Sequence, residues 1–182
     1  MGVEYQATKV QCDLAWAIAN DRKFIPRGNH DGNPTERYAV ILGQIMVADV
    51  LEVERPTGFG NFDGGVDFFI SGKVIDLKTI ARNTPFFRYM NGLVMESQYL
   101  SNKKTDVYLF ASINRRERIL TIVGWIKKFD IRRDQLRAEG TTELLWRKYP
   151  VTYSSDTYSI LTNAMVPWKG PEDFIFQMSM FG

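Results

Sequence analysis

"GGVDFFISGKVIDLKT", residues 64–79, decides how this chain is read. Two apolar runs flank Ser71-Gly72, a pair suited to a two-residue hairpin turn. With that turn Ile70 pairs with Lys73, Phe69 with Val74, Phe68 with Ile75 and Asp67 with Asp76. Side chains alternate along a strand. Val66, Phe68, Ile70, Ile75 and Leu77 therefore share a core face. Asp67, Phe69, Val74, Asp76 and Lys78 share the other, with Lys78 opposite Gly65. Two carboxylates that meet across a ladder repel unless something cancels the charge. A divalent cation bridging them does so, and Lys78 offsets it further. The alternative is an Asp76–Lys78 surface ion pair, worth little, with Asp67 merely ending a loop. Apolar residues on both faces mark these as central strands. Charges there are rarer and more often functional, which favours the metal site. A one-residue slip in register would send one aspartate to the other face.

Working outward, residues 8–19 have Val10, Leu14 and Ile18 at helical spacing. "PRGNHDGNPT" (26–35) is a turn-rich loop. Asn33-Pro34-Thr35-Glu36 reads as a helix start, with Asn33 as cap and Glu36 as the capping-box acid. That helix runs to about Leu51 and is apolar on most sides. "RPTGFGNFDGG" (55–65) is a glycine-rich loop without a phosphate-loop pattern. Residues 84–101 read as helix. "DVYLFASI" (106–113) and "ILTIVGWI" (119–126) read as strands joined by the charged turn "NRRER". "KKFDIRRDQLRAEG" (127–140) reads as a short basic helix closed by Gly140. The last forty or so residues are aromatic-rich and give no clear pattern. The order implies one α/β domain over residues 1–182, a central mixed sheet flanked by helices.

The chain has 182 residues and is 45% apolar, enough for a real core. No apolar run is long enough to cross a bilayer, and no secretory leader is evident. The lone Cys12 suits a reducing, cytoplasmic setting. One cysteine and one histidine exclude an ordinary single-chain zinc site. Any metal must find mainly oxygen ligands, as magnesium, manganese or calcium do. Residues 101–150 hold 12 Lys and Arg against 6 Asp and Glu, a local +6, and the rest hold 11 against 15, a local −4. That asymmetry fits a polyanion partner beside a cation site, or simply a solvated helix and loops.

A helix glutamate, then an aspartate, then Asp-x-Lys on the next strand resembles the PD-(D/E)xK nuclease superfamily. The matching residues are Glu36, Asp67 after "GGV", and Asp76 with Lys78 in "VIDLKT". "TDVYLFASINRRERILTIVGWIKK" is similar to the strands that often follow in that superfamily. The resemblance spans about residues 33–130. Val66 stands where the family usually has proline, and Asp76 where glutamate is commoner. The resemblance implies an αβββαβ restriction-endonuclease-like core and a DNA substrate cut at its phosphodiester bonds, most simply as an endonuclease. It implies that Asp67 and Asp76 hold magnesium, for which manganese can substitute, with the Leu77 backbone carbonyl as a further ligand. The ion polarises the scissile phosphate and makes water more acidic. Lys78 orients that water and stabilises developing charge. Glu36 has two readings, a structural capping acid or a metal ligand. The alternative function is a noncatalytic DNA-binding or structural protein that keeps the fold. A third is a metal enzyme acting on small phosphate compounds.

Other residues divide the same way. In the family a polar residue from the helix after the hairpin often lines the site, which points to Gln98. Lys103 and Lys104 read as a solvated helix end. Arg115, Arg116, Arg118, Lys127, Lys128, Arg132, Arg133 and Arg137 are candidate phosphate contacts. Arg27, Asn29, His30 and Asn61 sit in loops. Trp125 and Trp146 read as core. "DFIFQMSMF" (173–181) is a candidate homodimer contact, with core packing as the default.

Overall fold

The computed structural model describes residues 3–20, 34–55, 66–86, 91–102, 104–145 and 149–181. Within them the helices are α1 (Lys9–Ala19), α2 (Pro34–Val50), α3 (Glu96–Ser101) and α4 (Pro171–Ser179). The strands are β1 (Val3–Gln6), β2 (Phe68–Ile70), β3 (Lys73–Arg82), β4 (Asn91–Met95), β5 (Val107–Asn114) and β6 (Ile119–Lys127). They continue as β7 (Leu136–Arg137), β8 (Thr142–Leu145), β9 (Tyr149–Thr152), β10 (Thr157–Leu161) and β11 (Val166–Pro167).

The chain is α/β with a mixed sheet. Strand order is β1-β6-β5-β3-β2, with β11 beside β6. β3 and β5 are parallel, and the other pairs are antiparallel. All eight residues of β5 are buried, which explains why "VYLFASIN" shows no alternation: a central strand covered on both faces has none. One face packs Ile75, Leu77, Leu109 and Ile122 against α1, α2 and Phe174 and Met178 of α4. The other packs Tyr108, Phe110 and Ile126 against Val94, Tyr158 and Ile160, from a three-stranded sheet of order β4-β10-β7. The layers are therefore helices, mixed sheet and small antiparallel sheet.

Local chemistry accounts for several ends. Thr8 and Gln11 form a capping box that starts α1, and the Gln11 amide then donates to Asp49 of α2 at 2.6 Å. α2 begins at Pro34, as its sequence suggests, while Asn33 and the Glu36 side chain lie outside the described residues. Gly43 lets α2 approach β3: an added Cβ would lie 2.7 Å from Thr79 Cγ2. Gly43→Val is expected to cost about 1–3 kcal/mol, because overpacking forces the layers apart. Urea denaturation checks this, and Thr79→Ser, which removes the opposing methyl, should recover part of the loss.

Three expectations need correction. Residues 84–101 hold β4 before α3, not one helix. β4 pairs with β10, some sixty residues later, and its Gly92 lies against the Phe110 ring, so its strand state is fixed by distant partners. Residues 127–140 form 3-10 turns at Lys128–Asp130 and Arg133–Gln135 and then β7, not a basic helix. Arg132 spends its guanidinium on Asp134, and the Gln135 side chain accepts the Arg132 N–H, a capping bond that opens the second single turn. The hairpin is not wholly central either. β2 is a three-residue edge strand, and Phe69 is 67% exposed.

Trp125 is core, while Trp146 lies outside the described residues. In the C-terminal segment Phe174 and Met178 are buried, and Phe176 and Met180 face outward.

Candidate functional site

Ser71 and Gly72 both take positive φ, 50° and 78°, the turn that matches strand twist in a two-residue hairpin. The register follows from it: Ile70 pairs with Lys73, Phe69 with Val74 and Phe68 with Ile75. Asp67 departs from the expected ladder. Its N–H donates to the Ile75 carbonyl at 2.9 Å, so it lies just past the end of β2 rather than in a regular pair with Asp76. Its side chain then takes the place of a strand partner. Oδ2 accepts the Leu77 N–H at 2.7 Å, and Oδ1 accepts the Gln44 amide of α2 at 3.0 Å. In an extended strand the N–H and C=O of one residue point to the same edge. The Leu77 carbonyl thus shares the edge that Asp67 caps.

Asp76 is 2% exposed. Its Oδ1 pairs with Lys78 Nζ at 2.8 Å, and its Oδ2 accepts the Asn102 amide at 2.8 Å. Lys78 Nζ also donates to Gln98 Oε1 at 3.1 Å and stands 5.7 Å from the centre of the Tyr108 ring. Lys128 Nζ donates to the Asn102 carbonyl at 2.6 Å and lies 5.0 Å over Tyr99. Burial lowers the Lys128 pKa, and the Asp76 charge opposes that shift. Burial, reinforced by Asp76, raises the Tyr108 hydroxyl well above its usual value. A carboxylate this deep is costly to hold unless it is paired and hydrogen-bonded, and Asp76 is both.

Asp67, Asp76, Leu77 and Lys78 line one cleft of about 530 Å³. Val40 and Gln44 of α2 form one wall. Leu93, Met95, Gln98 and Asn102 with residues of the 151–157 stretch form the other. The two aspartates therefore open on the same space. Among the described lining residues they stand as two carboxylates against one ammonium, a balance that leaves room for a cation. The donors are all oxygens, which suits magnesium. That ion is commonly held by one or two carboxylates while it keeps several waters. Among the described residues no group of three His, Cys, Asp or Glu gathers as a ready-made cage. The set fits a partly hydrated ion, with Asp67, Asp76 and the Leu77 carbonyl as the protein's share.

The wall formed by 151–157 is anchored by a polar network. The Tyr153 hydroxyl donates to Glu143 at 2.8 Å and lies 3.0 Å from Ser159 Oγ, which accepts the Asn91 amide at 2.6 Å. Burial pushes the Glu143 pKa up, but the bonds from Tyr153 and Arg137 outweigh it, and the net shift is downward from 4.5. A carboxylate depressed on folding adds stability that is complete above its unfolded pKa and is lost as pH falls through the folded one. The native chain is therefore expected to lose stability on acidification below about pH 4.5 more steeply than Glu143→Gln does, read from urea midpoints across that range.

Of the residues expected at the site, Asp67, Asp76, Leu77, Lys78 and Gln98 come together. The Glu36 side chain, Arg27, Asn29, His30, Asn61, Gly65 and Lys103 lie outside the described residues, and Lys104 is exposed. Gln44 and Asn102 were not singled out as site residues, and Lys128 was named as a candidate phosphate contact rather than as a neighbour of Asp76 and Asn102. Gln44 had a signal, a lone amide in the apolar run "YAVILGQIMVADV". Asn102 had a weaker one, since it follows Gln98 by one helical turn. No protein-family model, curated protein or solved structure matches this chain.

Proposed function

We propose that the chain is a metal-dependent nuclease that hydrolyses DNA phosphodiester bonds, acting as an endonuclease. The observation that carries this reading is the meeting of Asp67, Asp76 and Lys78 in one open cleft beside a strand edge. In chain order α2, β2, β3, β4, α3 and β5 follow the αβββαβ sequence, although β4 pairs with β10 outside the mixed sheet. The return from β3 to a parallel β5 across α3 is in keeping with a restriction-endonuclease-like core. Bound magnesium would supply Lewis-acid polarisation of the phosphate. Asp67 and Asp76, with the Leu77 carbonyl, would hold it. Lys78, released from Asp76 or shared with it, has its ammonium in place to stabilise charge growing on the phosphate oxygens. Gln98 keeps that ammonium oriented. Incubation with plasmid, single-stranded and branched DNA, in magnesium or in EDTA, tests the proposal. Magnesium-dependent nicking or cutting is expected. Affinity for DNA without cleavage of any substrate would favour the noncatalytic reading, and activity on small phosphate esters without DNA affinity would favour the third.

A further inference from the structure

We propose that Arg82 marks a phosphate subsite at the end of β3, for the backbone of the nucleic-acid strand whose scissile group lies beside Lys78. The inference rests on the nuclease reading of that cleft. Alternation along β3 puts Asp76, Lys78, Ile80 and Arg82 on one face. Lys78 and Ile80 line the main cleft, and together with Arg82 they also line a small adjoining cavity of about 10 Å³. Arg82 lies four residues on from Lys78 along the strand, about 13 Å away. A strand leaving the cleft along β3 would meet the guanidinium next.

The Arg82 Nε is buried and has no hydrogen-bond partner. Among the described residues no acid pairs with it. Burial lowers its pKa, and among the described residues no anion acts against the shift. A desolvated cation without a partner opposes folding. Arginine presents a planar fork of donors that matches phosphate oxygens two at a time. The small cavity has room for about one water, so the anion must meet the solvent side of the side chain, which is only partly buried. The Arg115 backbone N–H donates to the Arg82 carbonyl at 2.7 Å, while its guanidinium Nε donates to the Asn83 side chain at 3.0 Å. The nearest acid of that turn, Glu117, accepts the Asn114 amide at 2.6 Å.

The test is binding of a labelled single-stranded oligonucleotide in EDTA, followed by fluorescence anisotropy, with and without a 5′ phosphate. Arg82→Met should melt at or above the parental temperature, because it removes an unpaired charge. It should bind the oligonucleotide about tenfold more weakly, the loss typical of a charge-assisted bond. The slope of log affinity against log salt should fall by about one. Arg82→Lys should keep the salt slope while recovering only part of the affinity. If the loss appears only with the 5′ phosphate, the subsite takes a strand end rather than an internal phosphodiester. Equal affinity of Arg82→Met and parent overturns the inference. So does a parent that binds no oligonucleotide, or an Arg82→Met that melts lower while Arg82→Gln binds normally. Arg82-dependent binding without magnesium-dependent cleavage would instead remove the nuclease reading and leave the anion site standing.

Discussion

Asp76→Asn is expected to reduce magnesium-dependent cleavage to background while the protein still folds. The change is isosteric, yet it strips the cleft of one of its two carboxylates and of the charge that pairs with Lys78. Among the described residues Lys78 still has Gln98 as a partner, but an asparagine at 76 keeps one side-chain oxygen, so its NH2 must face either Lys78 or the Asn102 amide as a second donor. Removing one member of a buried pair is strongly destabilising. Breaking a buried pair typically costs about 3–5 kcal/mol, and because the Lys78 side chain is 17% exposed and borders the cleft, the low end of about 3 kcal/mol is expected. Lys78→Met gives the contrasting result. It should retain manganese binding, because both carboxylates remain. It should lose about 10²–10³ in cleavage rate, the effect of deleting one preorganised donor to developing negative charge. Cleavage assays paired with calorimetric titration of manganese separate the two variants. A Lys78 variant that cut DNA at the parental rate would show the site to be misassigned.

That contrast depends on a register legible in the sequence. Ser71-Gly72 fixed the hairpin because its turn needs two residues at positive φ, and few pairs supply them cheaply. β5 and β6 were legible for a different reason: long apolar runs bounded by a charged turn leave little else for the chain to do. β4 and β7 were not. Each is defined by pairing with β10, a strand far along the chain, and neither carries a local pattern strong enough to exclude helix. The second sheet as a whole was invisible for that reason. So was the fact that β4, with the 151–157 stretch, forms one wall of the cleft.

At the site the sequence singled out the charges that meet in the cleft, but not how they are held. Asp67 was expected to face Asp76 across a regular ladder. Instead the ladder ends one residue earlier, and Asp67 folds its carboxylate onto the Leu77 N–H. The two acids still open on one space, because the end of β2 exposes the edge of β3 between them. The place of Asn102 and Lys128 behind Asp76 was out of reach, since it depends on the turn after α3 meeting the end of β6. Nothing in "SNKK" distinguishes an amide buried to 1% exposure from an ordinary helix end.

Asn102 nevertheless carries the second large effect. Its amide is the donor to Asp76 Oδ2, and its carbonyl accepts the Lys128 ammonium, so one buried residue links the carboxylate to a cation behind it. Asn102→Leu is close in volume and removes both the donor and the orientation it imposes. Asp76 Oδ2 would then lie buried without that partner, at a cost of about 1.5–3 kcal/mol for a hydrogen bond to a charged group. The effect on metal binding should be as marked. Residues that hold a ligating carboxylate in place typically change metal affinity by about 10–100-fold when removed. Manganese affinity measured by calorimetry should fall within that span, while Asp67 and Lys78 stay chemically intact. Asn102→Asp distinguishes orientation from simple packing. It keeps the shape but sets a second carboxylate against Asp76, so its urea midpoint should fall at neutral pH and recover as the medium is acidified enough to protonate one acid of the pair. If both variants bound manganese as the parent does, Asn102 would be a packing residue alone, and Asp76 would be oriented by Lys78 and its own strand.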